Sequence, residues 1–394
     1  ASMLLGTLYK NGYGVKKDYS KVKKYYEIAI EQNNLNKSFI NSDIYNNLGE
    51  LYESLEKDFS KAKECYEQAS DLGNSNAFIK LGNLYYFGNG VKQSYEKAKE
   101  FYELASKQNN SIAYINLGNL YFNGLGVVKD IPKARFYYTN ASKLNDSDAF
   151  LNLGQLSYYE KDYSSAKYYF EQAIKLNNPF AYFNLGFLYE KGFGVDQNIM
   201  KAKRLYELSS YLKNSYAYLK LAFFYFTGIG VNIDYLKAQE YCEMAAKQKN
   251  CIALYYLGLF YSCGDIIEID YEKAIHYFNE CREIVCQKIS IYSPTYDLYS
   301  CKYFYNPFCY CALNDLGLIN LISFCDNEKA IKLIKEAAFN EFPFAQNNLG
   351  LLFQYYLNDI GNAEYMYGRS SRNNFAIAEF NLGHLKEKNG KIDD

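Results

Sequence analysis

The 394-residue chain has no tryptophan, five prolines and only two histidines, His276 and His384. Neither histidine lies in a Ser-His-Asp or Cys-His arrangement, so the sequence contains no recognisable catalytic constellation. We therefore expect no enzymatic activity, no cofactor and no metal site within these residues, and leave open a catalytic domain outside them.

The sequence also lacks an excess of charge of one sign and lacks long apolar runs. Lys and Arg number 43 and Asp and Glu 44, whereas nucleic acids and anionic membranes attract proteins with a basic excess. The most apolar stretch, ALYYLGLFY at residues 253–261, is far shorter than a membrane-spanning helix. We expect neither nucleic acid nor a membrane as a partner.

Cysteine is almost absent from the first 240 residues, because nine of the ten cysteines lie between Cys242 and Cys325. Cys301, Cys309 and Cys311 have the spacing C-x7-C-x-C, which is not that of a usual zinc site. Reduced, buried thiols are the favoured interpretation, and they favour a reducing compartment.

Aromatic residues and glycines are abundant instead, with 45 Tyr, 27 Phe and 25 Gly. The motif GxGV begins at Gly12, Gly88, Gly124, Gly192 and Gly228. A phosphate-binding loop occurs once and follows a strand, whereas each copy here follows a helical pattern. The motif therefore predicts a repeated turn whose glycines adopt positive φ where a helix ends.

A longer repeat surrounds this turn, most clearly in AYINLGNLYFNGLGVVKDIPKARFYYTNAS at residues 113–142. The glycine of its Leu-Gly pair, here called the LG glycine, recurs mostly every 32–36 residues. It stands at Gly6, Gly49, Gly82, Gly118, Gly154, Gly186, Gly258, Gly317, Gly350 and Gly383, and Ala222 replaces it once. Such a period predicts a solenoid of stacked repeats.

Each repeat is predicted to contain two helices, A and B. Helix A carries A-x3-L-G-x2-Y and helix B carries A-x3-Y-x2-A, so that small residues permit close approach and tyrosines fill the space between the helices. A side chain with an oxygen atom precedes each B helix and is predicted to cap it. These residues are Asp18, Asp58, Ser94, Asp130, Asp162, Asn198, Asp234, Asp270, Asp326 and Asp359.

These motifs resemble those of the Sel-one-like repeat (SLR) family, which is related to the tetratricopeptide repeats. The residues that carry the resemblance are LG-x2-Y, the elbow GxGV-x2-D-Y-x-K-A and the second-helix motif, and they cover nearly the whole chain except about residues 283–312. The resemblance implies an all-α fold, a right-handed α/α superhelical solenoid that acts as an adaptor or scaffold for other proteins.

The period divides the chain into three parts. Residues 1–282 contain about seven repeats, residues 283–312 form an aromatic and cysteine-rich insertion, and residues 313–394 contain further repeats, the last incomplete. The insertion is predicted to extend helix B or to add a helix. A tolerated insertion that repacks the core is favoured over a partner-binding lobe. Because both ends stop at an unpaired helix A, we expect missing repeats or end-to-end self-association.

One polar position recurs two residues before the LG glycine, here called the minus-two position. Its residues are Asn47, Lys80, Asn116, Asn152, Asn184, Lys220, Tyr256, Asp315, Asn348 and Asn381. In tetratricopeptide superhelices, which the chain resembles, asparagines at the matching position of helix A hold an extended peptide in a concave groove. An amide can pair with both groups of a peptide backbone. We predict a peptide site at the asparagines and lysines of this position, extended by Asn83, Asn119 and Gln155 at the plus-one position.

Two further readings of this face stay open. The asparagines can instead be polar positions that bond to a neighbouring repeat or to water. Beyond Ala222 the face becomes apolar, with Phe223, Phe226, Tyr255, Tyr256 and Leu259, which predicts an apolar partner surface.

The resemblance implies three functions. The leading hypothesis is a cytoplasmic scaffold that binds extended peptides or helices of protein partners and belongs to a longer signalling protein. The alternative is a quality-control adaptor in the endoplasmic reticulum lumen, which the sequons at Asn36, Asn109, Asn140 and Asn145 leave open. A secreted hydrolase is disfavoured, since the regular cysteine pairs of those relatives are missing here.

Overall fold

The computed structural model describes residues 2–36, 42–263, 268–288, 305–323 and 327–388. Within these ranges the regular structure consists of 21 α-helices and one short π-helical segment, with no strand, which confirms the all-α prediction. None of the described helices combines the length and the apolar character that a bilayer-spanning segment needs.

The helices alternate between the predicted A and B types. The A helices are α1 (Ser2–Asn11), α3 (Ser42–Leu51), α5 (Ser75–Phe87), α7 (Ser111–Asn123), α9 (Ser147–Tyr159), α11 (Pro179–Lys191), α13 (Ser215–Thr227), α15 (Cys251–Cys263), α17 (Tyr305–Ser323), α19 (Pro343–Tyr355) and α21 (Ala376–Lys388). The B helices are α2 (Tyr19–Asn36), α4 (Phe59–Asp71), α6 (Tyr95–Ser106), α8 (Ile131–Ser142), α10 (Tyr163–Lys175), α12 (Ile199–Tyr211), α14 (Tyr235–Ala246), α16 (Tyr271–Lys288), α18 (Asn327–Phe339) and α20 (Ile360–Arg372). The π-helical segment Tyr52–Glu56 continues α3.

The core of most repeats is an aromatic ring of helix B that lies against the LG glycine of helix A. In the repeat of α7 and α8, the ring of Tyr138 is fully buried and touches the backbone at Gly118, where a Cβ atom would overlap it. The same contact joins Gly6 to Tyr26, Gly49 to Tyr66, Gly82 to Tyr102, Gly154 to Phe170, Gly186 to Tyr206, Gly258 to Phe278 and Gly350 to Tyr367. The glycine and the aromatic residue therefore form one packing unit.

The predicted caps of the B helices are present. Nine of the ten side chains accept a hydrogen bond from the backbone N–H three residues later, as Asp130 does from Lys133. The tenth, Asp326, lies outside the described residues. These bonds satisfy N–H groups that a helix start leaves without intrahelical partners.

The GxGV motif forms the predicted turn. Gly124 ends α7 in the left-handed region with φ 70°, and its N–H donates to the carbonyl of Leu120. Gly126 also has positive φ, and a Cβ there would meet Tyr95 of the preceding B helix. The motif thus serves a helix end and a close backbone approach, in agreement with its interpretation as architecture.

A lysine and a tyrosine form a repeated contact on seven helix pairs, and in five of them a second aromatic ring stacks on the tyrosine. Lys133 Nζ lies 4.2 Å from the ring centre of Tyr121, and that ring stacks on Tyr137 at 5.6 Å. Equivalent lysine–tyrosine pairs are Lys21 with Tyr9, Lys61 with Tyr52, Lys97 with Tyr85, Lys201 with Tyr189, Lys237 with Tyr225 and Lys273 with Tyr261. This cation–π contact explains why the LG-x2-Y and K-A motifs occur together.

The chain divides into two compact units, Ala1–Asn178 and Pro179–Asp394. Within each unit, every helix packs on the next in chain order. Neighbouring A helices also touch, α7 with α9 in the first unit and α15 with α17 in the second. The helices on either side of the predicted insertion, α16 and α17, have 18 and 19 residues, and the insertion's residues 289–304 lie outside the described ranges.

Candidate protein-binding site

At least five of the minus-two residues of helix A form polar contacts with the preceding repeat. Polar pairs at this position join Lys10 to Asn47 (2.7 Å), Lys80 to Glu50 (3.3 Å), Lys220 to Glu190 (3.0 Å), Asn348 to Asn314 (2.9 Å) and Asn381 to Asn347 (2.9 Å). Each pair connects two successive A helices. The position therefore couples neighbouring repeats, whether or not it also binds a peptide.

The predicted peptide site differs in exposure along the chain. Asn116 and Asn152 are each 3% exposed and Asn119 is 5% exposed, so a peptide backbone could reach these amides only if neighbouring groups moved. The half-buried members are Asn47, Lys80, Asn83, Gln155, Asn184, Lys220, Asn348 and Asn381. Peptide binding by this set stays a prediction.

The plus-one asparagines accept hydrogen bonds from the core tyrosines. Tyr102 donates its hydroxyl to Asn83 Oδ1, and Tyr138 donates to Asn119 Oδ1, both at 2.7 Å. The aromatic residue that corresponds to Gln155 is Phe170, which has no hydroxyl to donate. These two asparagines thus satisfy a buried hydroxyl beside the LG glycine.

Asn152 is an exception within the minus-two position. Its Nδ2 atom is inaccessible to solvent and has no hydrogen-bond partner among the described residues. A buried amide donor without an acceptor costs about 1–3 kcal/mol. We find no structural compensation for this cost.

A second column of asparagines was missed by sequence reasoning. Asn74 accepts hydrogen bonds from two N–H groups at the start of α5, while its Nδ2 donates to Ser42 Oγ and Asp43 Oδ1 of the preceding repeat. Asn110, Asn178, Asn214 and Asn250 also donate to the preceding A helix. Their fixed place eight residues before the LG position is the signal that identifies them.

Most of the described repeats have an aromatic ring against the LG position, and in the repeat of α17 and α18 Ile334 packs against Gly317 instead. One described repeat lacks such a ring and has no comparable side chain in its place. In the repeat of α13 and α14, Cys242 stands where the other B helices have Tyr, Phe or, in α18, Ile334, and Ala222 stands at the LG glycine position. The two changes are complementary, since a glycine is needed only where a ring lies against it. The substitutions of Ala222 and Cys242 are visible in the sequence.

The missing ring leaves an apolar cavity of about 390 Å³ between α13, α14 and α15, here called the open slot. It is lined by Leu219, Ala222, Phe223, Phe226, Thr227, Cys242, Tyr256, Leu259, Phe260 and Cys263. Phe223, Phe226 and Tyr256 are 41–49% exposed, so the slot reaches the surface. Burial raises the pKa of the Cys242 thiol to about 12, so this thiol is neutral at physiological pH.

A charged cluster lies on the other side of α13. Glu190 of α11 is 8% exposed and accepts hydrogen bonds from the Tyr206 hydroxyl at 2.6 Å and from Lys220 Nζ at 3.1 Å, while Lys191 Nζ lies 3.2 Å from it. Burial alone would raise the pKa of Glu190, but Tyr206 and the two lysines outweigh it and lower the pKa. Two cations therefore share one carboxylate, and the cluster carries an excess positive charge.

A second carboxylate in this unit is half-buried and has no such cation among the described residues. Asp315 of α17 accepts hydrogen bonds from Tyr255 at 3.0 Å and from Asn314 at 3.1 Å. Burial raises its pKa, and these two hydrogen bonds only partly offset the effect. Tyr255, which was predicted to belong to the apolar surface, therefore directs its hydroxyl to a neighbouring repeat.

Comparisons with known proteins agree with this architecture. A solved structure of c5321, a protective antigen of uropathogenic Escherichia coli with an SLR fold, is similar with a TM-score of 0.57 and 23% identity, covering 98% of this chain and 79% of that one. A Sel1 repeat protein from Oxalobacter formigenes is 27% identical with a TM-score of 0.53, covering 62% of this chain and 99% of that one. No curated protein matches.

The family model for the Sel1 repeat matches nine segments that together make up well over half of the chain. They are residues 1–34, 43–74, 77–110, 111–146, 150–178, 179–214, 215–250, 251–280 and 343–373. Sel1 repeat proteins are generally protein-interaction scaffolds. The chain belongs to the Sel1 repeat family.

Proposed function

We propose that this protein is a binding scaffold whose open slot receives an apolar side chain of a protein partner. The observation that carries the proposal is the cavity of about 390 Å³ in a repeat that lacks its core ring. In the other repeats a side chain of the same chain fills this place, so an incoming side chain would complete the packing that the fold provides elsewhere.

The half-buried amides of the A helices are proposed as a secondary surface. Amides that donate and accept can hold the backbone of an extended segment whose anchor side chain lies in the slot. In the second unit, Asn184 and Lys220 lie on the two A helices that precede the slot. Their contribution is expected to be smaller than that of the anchor, because a few buried anchors dominate most interfaces.

The test is selection from a displayed library of random peptides by the purified chain and by the variant Ala222→Gly/Cys242→Phe. This variant rebuilds the arrangement of Gly258 and Phe278 and closes the slot from within. We expect selected peptides to bind the parent and to lose at least tenfold in affinity on the variant, which corresponds to about 1.4 kcal/mol.

Two further variants serve as a control and as a safeguard. Phe136→Ala removes an aromatic side chain that is 59% exposed on α8, far along the chain from the slot, and should leave binding unchanged. Thr227→Trp blocks the slot from its rim if the double variant does not fold. Equal binding by the parent and both slot-blocked proteins would refute the proposal, and loss on Asn184→Ala alone would move the site to the amides.

A further inference from the structure

The lining of the open slot restricts the anchor that it can accept. In the ordinary repeats, the hydroxyl of the core tyrosine meets a polar acceptor on helix A, such as Asn83, Asn119 or Glu190. At the two corresponding positions the slot has Phe223 and Phe226. The Thr227 hydroxyl already donates to the carbonyl of Phe223. A ring or aliphatic chain without a hydroxyl therefore fits this lining better than tyrosine does.

The charged cluster adds a second element of recognition beside the slot. Lys191 and Lys220 share the single carboxylate of Glu190, and 47% of the Lys191 side chain is exposed. A carboxylate of a partner would balance the excess charge. It would do so without breaking the pair between Lys220 and Glu190, since Lys191 is the more exposed of the two cations.

The two elements lie on opposite sides of the same helix. The charged cluster lies between α11 and α13, whereas the slot lies between α13 and α15. Packed helices are about 8–10 Å apart, so roughly 10 Å separates the carboxylate position from the anchor position. An extended chain in the polyproline II conformation advances about 3.1 Å per residue and brings every third side chain back to the same face, so this distance corresponds to three residues.

We infer that the partner segment is an extended peptide with a phenylalanine, leucine or methionine anchor and an acidic residue three positions away. The inference rests on the proposed function of the open slot and adds the chemistry of the partner. The anchor fills the place of the missing ring, and the acidic side chain lies over Lys191 beside α13.

The inference is tested with displayed libraries in which two positions are fixed and the rest are random. One pair of libraries fixes Asp-x-x-Phe and the reversed Phe-x-x-Asp, so that both chain directions are covered. Matched libraries replace Asp by Asn or Phe by Tyr. We expect enrichment from one acidic library, with roughly tenfold weaker binding when the anchor of a selected peptide is changed to Tyr.

The variant Lys191→Gln separates the charge from the slot. We expect it to weaken an acidic peptide by roughly threefold at low salt, with less effect at high salt, and to leave the matched Asn peptide unchanged. The parent and Lys191→Gln should melt at the same temperature, since Lys220 keeps its bond to Glu190.

The outcomes separate the two proposals. Binding that depends on Phe and on the open slot, yet is indifferent to the acidic residue and to Lys191→Gln, would overturn this inference and retain the proposed function. Selected peptides that prefer Tyr would overturn the anchor chemistry. Binding that survives Ala222→Gly/Cys242→Phe would refute the proposed function itself.

Discussion

Two repeats share one backbone plan but differ in their interior. The repeat of α7 and α8 has a filled core, whereas the repeat of α13 and α14 contains a cavity. In the first, Tyr138 lies against Gly118 and gives its hydroxyl to Asn119, so that the residues of α7 from 115 to 122 are all buried. In the second, Cys242 and Ala222 replace that pair, and phenylalanines replace the acceptors. The two repeats differ in their side chains and not in their backbone plan, so side chains alone change a filled core into an open cavity.

The largest change in stability is expected when the filled core of α7 and α8 is opened. The variant Gly118→Ala/Tyr138→Cys reproduces the Ala222 and Cys242 pair in α7 and α8. It removes a fully buried ring and leaves Asn119 without its donor, so we expect a loss of about 3–5 kcal/mol in the free energy of unfolding, measured with urea. A loss below about 1 kcal/mol would show that the ring is not a principal source of stability.

Two minus-two asparagines, Asn152 in the first unit and Asn348 in the second, are expected to affect stability with opposite signs. Asn348→Leu removes the donor to Oδ1 of Asn314, a residue that is 5% exposed, and should cost about 1–3 kcal/mol. Asn152→Leu removes an unpaired donor from a buried site and should raise stability by about 1 kcal/mol. Urea midpoints of both variants give the two signs, and destabilisation by Asn152→Leu would indicate a hydrogen bond at that amide.

The buried Glu190 and the half-buried Asp315 of the second unit predict opposite pH dependence. The raised pKa of Asp315 means that its ionisation opposes folding, so its contribution weakens stability as pH rises above about 4, the unfolded value. The lowered pKa of Glu190 means that its contribution is present above about 4.3 and is lost as pH falls through the folded value.

The corresponding measurement compares urea midpoints at pH 4 and pH 7. Asp315→Asn should gain stability relative to the parent at pH 7 and gain less at pH 4. Glu190→Gln should lose stability at pH 7 and lose less at lower pH. The same sign for both variants would contradict the assigned environments.

The smallest expected effect concerns the lysine–tyrosine stacks. A double-mutant cycle of Lys133→Gln and Tyr121→Leu should give a coupling of about 0.5–1 kcal/mol. The repeat of α9 and α10 has Ser157 and Ser165 at these two positions and provides a natural reference without the pair. A coupling of zero would mean that the shared motif reflects packing of the tyrosine on Tyr137 alone.

The sequence predicts the fold through its period and its caps, because both depend on contacts between residues that are close in the chain. Asp130 caps α8 and Gly124 ends α7 as their spacing requires. The role of the minus-two position was harder to predict, since a helix face can be read from spacing while the partner on the next repeat cannot. Asn348 illustrates this, because its acceptor Asn314 lies 34 residues away.

The candidate site was predicted only as an apolar surface at Phe223, Phe226, Tyr255, Tyr256 and Leu259. Its cause, the exchange of a ring for Cys242 together with Ala222 for glycine, requires knowing that the ring and the glycine touch. That contact joins two helices and became visible only in the structure. Once it is known, the same pair of positions can be read in any repeat of this chain.

The LG position recurs mostly every 32–36 residues, and this regularity has a consequence for where along the chain a partner would bind. Because the backbone plan repeats, Ala222 and Cys242 can replace the glycine and the ring in one repeat while the turn and the cap of that repeat stay in place. One repeat of the array therefore contains an open cavity where most other repeats have a filled core. We expect that moving this pair of side chains to a neighbouring repeat would also move the proposed docking point along the chain.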